Sequence, residues 1–69
     1  MDIVWRDGFE ITVKSDGDTV VISANREGLR SLADHFAALA EGEPGDHIHY
    51  DENNSLEEGS TELIIERTK

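Results

Sequence analysis

Along Phe9–Ala40 the apolar residues change period once, from two to roughly 3.6, and this limits the folds open to the chain. In Phe9-Glu10-Ile11-Thr12-Val13-Lys14, Phe9, Ile11 and Val13 alternate with Glu10, Thr12 and Lys14, the pattern of a half-buried strand. Ser15-Asp16-Gly17-Asp18 has the chemistry of a tight turn. Thr19-Val20-Val21-Ile22-Ser23 returns as a second strand, with Val20 and Ile22 expected to face inward. Leu29, Leu32, Ala33, Phe36, Leu39 and Ala40 then recur at helical spacing, with Glu27, Arg30, Ser31, Asp34, Ala38 and Glu41 opposite. Ser23 or Asn25 can cap the start of this helix, and Gly42 followed by Glu43-Pro44-Gly45 ends it.

Outside this block the pattern continues in short pieces. Ile3, Val4 and Trp5, in the stretch from Asp2 to Arg6, form either a short extra strand or an extended lead-in, closed by Asp7-Gly8. His47-Ile48-His49-Tyr50-Asp51 reads as a strand with Ile48 and Tyr50 on one face and His47, His49 and Asp51 on the other. Glu52 to Ser60 is a polar loop anchored by Leu56, and the last strand, Thr61 to Arg67, turns Leu63 and Ile65 inward and Ile64 outward. The expectation is one small α+β domain over residues 1–69 in ββαββ order. A four-stranded antiparallel or mixed sheet would carry the helix on one face, β-grasp-like, with the first and last long strands adjacent and parallel. The other sheet face would stay uncovered.

Charge narrows the partners. Sixteen Asp and Glu against six Lys and Arg give a net charge of −10, and 36% apolar content alone leaves open whether the chain folds. The periodic blocks argue that it does, as a marginal domain that gains from salt or from a partner. Lys/Arg clusters for phosphate binding are absent, so nucleic acid and anionic membranes are poor partners. No apolar run suits a transmembrane helix or a secretory signal, and there is no cysteine for a disulfide or a thiolate site. A cytoplasmic, non-enzymatic protein without a cofactor is expected.

Two constellations remain. His47, His49 and Asp51 together resemble a two-histidine, one-carboxylate metal set. Alternate side chains on a strand stand about 7 Å apart, and a third ligand usually comes from a second element, so the polar face of an edge strand is the simpler reading. Neither the serines nor the glycines fall into a nucleophile-elbow or phosphate-loop pattern. The stretch from Asp46 to Glu58 concentrates carboxylates beside those histidines, either as a solvated loop or as a surface for a basic partner. His35 reads as a boundary histidine half over the core.

Particular stretches resemble a known family. They are Ala24-Asn25-Arg26-Glu27-Gly28-Leu29, Pro44-Gly45-Asp46-His47-Ile48-His49, and the run from Asp51 to Glu66 that opens Asp51-Glu52-Asn53-Asn54-Ser55-Leu56. These resemble the predicted immunity proteins of bacterial polymorphic toxin systems, group thirty-two, over about two-thirds of the chain. The resemblance implies inhibition by binding: a small cytosolic protein occludes a cognate toxin, and a basic toxin domain would suit the acidity seen here. Its candidate signature positions are Asn25, Gly28, His47, His49, Asp51, Glu52, Asn54, Ser55, Leu56, Glu57, Gly59, Ser60 and Glu62. Of these, Gly28, Leu56 and Gly59 suit backbone or core roles, and Asn54 and Ser60 suit holding the loop. The expected contact surface is His47, His49, Asp51, Glu52, Asn53, Glu57 and Glu58. The alternative is a self-associating module, with Thr12, Val21 and Ile64 of the uncovered sheet face meeting a second copy or another partner.

Overall fold

The computed structural model describes residues 3–69; Met1 and Asp2, the latter opening the first apolar stretch, lie outside them. β1 (Ile11–Asp16) and β2 (Thr19–Ala24) pair antiparallel through the two-residue turn Gly17-Asp18. Gly17 has φ 61° and no non-glycine residue among those described has positive φ, as in a type II′ turn, whose twist suits a hairpin. Ile11 faces Ala24 and Val13 faces Ile22. Ile11 and Val13 are buried, but Val20 and Ile22 on the same face remain 60% and 38% exposed, against the inward expectation. The helix meets the hairpin at its base, where Gly28 approaches Glu10, Ile11 and Ala24, while the residues toward the turn, from Lys14 to Val20, are exposed.

α1 (Arg26–Ala40) is capped by Asn25, not Ser23. Its Oδ1 accepts from the N–H of Gly28 at 2.8 Å and of Glu10 at 3.0 Å, while Nδ2 donates to the Gly8 carbonyl at 2.9 Å. One side chain thus joins the lead-in, the hairpin base and the helix start. Asn25→Ala is expected to cost about 1–2 kcal/mol, the upper range for a helix cap, because two further bonds go with it. Urea denaturation would read this as a lower midpoint at unchanged slope.

The helix buries Gly28, Ser31, Leu32, His35 and Leu39, while Leu29 and Phe36 are 56% and 44% exposed. Its buried stripe is therefore rotated about a quarter turn from the one that apolar residues alone mark out. Residues 3–9 cause this rotation, forming a docked lead-in rather than a strand. The Arg6 N–H donates to Ser31 Oγ at 2.9 Å, and His35 Nε2 bonds the Val4 carbonyl at 2.7 Å. The Arg6 guanidinium meets Asp34 at 2.9 Å and holds its carboxyl below the usual range. Polar positions on α1 supply donors and acceptors that an apolar flank could not.

β3 (His47–Tyr50) and β4 (Leu63–Glu66) form a second antiparallel pair, with Ile48 opposite Ile65 and Tyr50 opposite Leu63. The ββαββ succession therefore builds two separate two-stranded sheets rather than one four-stranded sheet. The expected parallel neighbour of β1 is replaced by a loop segment. Glu57 and Thr61 N–H groups donate to the Ile11 and Val13 carbonyls at 2.9 and 2.8 Å, and Ser60 Oγ accepts from the Val13 N–H at 3.2 Å. Four residues of loop span two of β1, and Gly59 at φ 88° takes up the excess, so no ladder can run on. Thr12 and Val21 consequently share no sheet with Ile64. Ile11, Val13, Leu32, Leu39, Ile48, Tyr50 and Leu56 form the core, flanked by Ile3, Trp5, Phe9, Ala24, Leu63 and Ile65.

Candidate functional site

Alternation along β3 buries Ile48 and Tyr50 and exposes His47 and His49. Because a carbonyl only accepts, His47 Nδ1–H donates to Gly45 O at 3.0 Å, which leaves Nε2 open. The two imidazoles meet edge to face with centroids 5.0 Å apart, and His49 Nδ1 lies 3.8 Å from Glu62 Oε2. They border an open depression of about 360 Å³ lined by Ile3, Trp5, His47, Ile48, His49 and Asn54. Its lining thus combines apolar and aromatic side chains with polar ones.

Asp51 does not join that face, because β3 ends at Tyr50. Its carboxylate turns back to accept from the N–H groups of Asn53 and Asn54 at 2.9 and 3.0 Å. Its carbonyl takes those of Ser55 and Leu56. Asn54 donates to the His49 carbonyl at 3.0 Å and accepts from the Asp51 N–H at 3.1 Å. Glu52 is also committed, accepting the Gly59 N–H at 2.6 Å, while Lys14 Nζ holds the Gly59 carbonyl at 2.7 Å. The two-histidine, one-carboxylate set therefore does not converge, and no group of three or more metal-ligating side chains is found among the described residues. Of the seven candidate contact residues, Asp51 and Glu52 shape the loop. His47, His49, Asn53, Glu57 and Glu58 present exposed side chains.

What sequence reasoning missed lies beneath this surface. His35 is only 2% exposed, not half over the core. Its Nε2–H donates to Val4 O, so Nδ1 accepts from the Tyr50 hydroxyl at 2.9 Å. Burial pushes that hydroxyl up to about 12. Trp5 sits edge-on to His35 at 4.6 Å and stacks on Phe9 at 4.3 Å. A buried polar pair thereby fixes the indole that lines the depression. Its available sequence signal is the Leu32, His35, Leu39 spacing, which only a rotated stripe makes visible.

These features define a small α+β domain whose candidate site is a shallow, rigidly backed surface. The family model for immunity protein 32 matches residues 19–68, and the chain belongs to that family. No curated protein and no solved structure gives a significant match. The matched segment contains β2, the helix, both histidines and the whole acidic loop. No helix among the described residues is long and apolar enough to cross a membrane.

Proposed function

We propose that this domain neutralises a cognate bacterial toxin in the cytoplasm by binding and occluding it, without turnover of its own. The depression beside His47 and His49 carries this reading, because it offers the Trp5 indole as an aromatic anchor point beside two exposed imidazoles, with the Glu62 carboxylate 3.8 Å from His49. With a net charge of −10, the best-suited partner is a basic toxin domain, while nucleic acid and anionic membranes are disfavoured. Charge complementarity of this kind speeds association more than it deepens affinity. The contact set narrows to His47, His49, Asn53, Glu57 and Glu58, since Asp51 and Glu52 are held by the loop.

The tagged domain would be used to capture a partner from native lysate at low and moderate salt. Any basic protein recovered would then be expressed alone and together with the domain. Toxicity relieved by co-expression supports the reading; a captured protein that is harmless, or equally toxic with the domain present, contradicts it. With the toxin in hand, Glu57→Lys combined with Glu58→Lys should slow association about tenfold at low salt and flatten its salt dependence. An unchanged rate would remove the electrostatic part.

A further inference from the structure

His47 and His49 leave β3 on one face, where alternate side chains start about 7 Å apart. Their rings nevertheless lean together, to a centroid separation of 5.0 Å. Each ring also turns its Nδ1 toward an oxygen. That of His47 donates to the Gly45 carbonyl at 3.0 Å, and that of His49 lies 3.8 Å from Glu62 Oε2. The two Nε2 atoms are the free ones, with no hydrogen-bond partner among the described residues. Glu66, opposite His47 in register and exposed like it, adds a second carboxylate beside the pair. Two side chains that could compete are otherwise engaged. The Asp51 carboxylate is held by the Asn53 and Asn54 N–H groups, and His35 is buried with both ring nitrogens bonded.

We propose that His47 and His49 bind a divalent transition-metal ion, such as Zn²⁺ or Ni²⁺, as a two-imidazole chelate through both Nε2 atoms. With metal–nitrogen bonds of about 2.0–2.1 Å each ring centre lies roughly 3.2 Å from the ion, so two rings on one tetrahedral ion stand about 5 Å apart. The separation along β3 matches that value. A carbonyl or carboxylate on the second ring nitrogen is the usual outer partner of a metal-bound histidine, because it fixes the tautomer that leaves the other nitrogen bare. Imidazole nitrogen favours zinc, nickel and copper, whereas magnesium and calcium take oxygen ligands. No third protein ligand converges among the described residues, so water completes the coordination and the site is a surface chelate. The inference goes beyond the toxin-binding reading and is tested without a toxin.

The test is titration of the untagged domain with Zn²⁺ and with Ni²⁺ by calorimetry, in excess Mg²⁺. Binding should persist against Mg²⁺, and Ni²⁺ should quench Trp5, the only tryptophan, because its indole lines the same depression as both histidines. Imidazole nitrogen NMR with Zn²⁺ should move the Nε2 signals of His47 and His49 and leave those of His35 in place; this measurement needs no variant. His47→Ala and His49→Ala, both at exposed strand positions, should each weaken binding about tenfold or more with unchanged circular dichroism. Glu62→Gln should weaken it about three- to tenfold through the outer contact to His49. Absence of binding would overturn the proposal. So would an ion displaced by Mg²⁺ or indifferent to both histidine substitutions, since that is the diffuse attraction of a chain of charge −10 for any cation.

Discussion

His35→Ala is expected to lower the unfolding free energy by about 3–5 kcal/mol, which for a domain of this size approaches complete loss of the fold. The imidazole is buried, touches Trp5 edge-on, and satisfies both the Val4 carbonyl and the Tyr50 hydroxyl. Alanine would leave a cavity between Trp5 and Tyr50 and strand two polar groups that water reaches poorly. Tyr50→Phe isolates one part of this: the ring stays, His35 Nδ1 loses its donor, and the expected cost is about 1–3 kcal/mol. The same residue predicts an alkaline signature. Burial raises the Tyr50 hydroxyl from 10.0 to about 12, so the folded state holds this proton more tightly than the unfolded chain does. Its contribution is complete below pH 10 and is lost as pH rises through 12. Urea denaturation across that window should show a decline in wild type that Tyr50→Phe lacks. An identical decline in both proteins would place the alkaline sensitivity elsewhere.

Gly28→Ala should destabilise by about 2 kcal/mol, although helix propensity alone favours alanine by about 1 kcal/mol. A Cβ there would sit 2.7 Å from the Glu10 carbonyl oxygen, 2.9 Å from Ile11 Cγ1 and 3.1 Å from Ala24 Cβ. None of these neighbours yields readily. The Glu10 carbonyl also accepts the Asn25 N–H at 3.1 Å, and Ile11 is fully buried. The cost is thus steric and arises where the helix meets the hairpin base. Thermal and urea denaturation of Gly28→Ala check it directly; a variant more stable than wild type would mean that propensity outweighs contact and that this junction is looser than described.

Much of the architecture was legible because its signals are local. The alternation of Ile11 and Val13, a tight turn within Ser15–Asp18, a cap at Ser23 or Asn25 and the breaker after the helix each act within a few residues; the structure narrows the turn to Gly17-Asp18 and the cap to Asn25. Leu56 was readable as an anchor, since a lone leucine in a polar loop has few other uses. The acidic loop was harder to read. Composition marks Asp51 and Glu52 as contact candidates as strongly as Glu57 and Glu58, and only the backbone path shows that the first two are occupied by N–H groups. Among the histidines the same limit applied. His47 and His49 follow the strand period outward, but His35 sits at a position whose burial depends on what lies beside the helix.

Residue order alone thus determined which segments are strands or helix, the acidic character of the surface, and the immunity protein 32 family. Periodicity and composition act along the chain, and these properties need nothing more. Tertiary structure decided three further matters: the quarter-turn rotation of α1, the division into two sheets, and the exposed edge of β2. Each depends on a competition between distant segments for one surface. The lead-in wins the helix flank because Ser31 and His35 offer it hydrogen bonds. The loop at Glu57–Thr61 wins the edge of β1 because Ser60 and two backbone N–H groups reach it first, which leaves β2 as the open side of the hairpin.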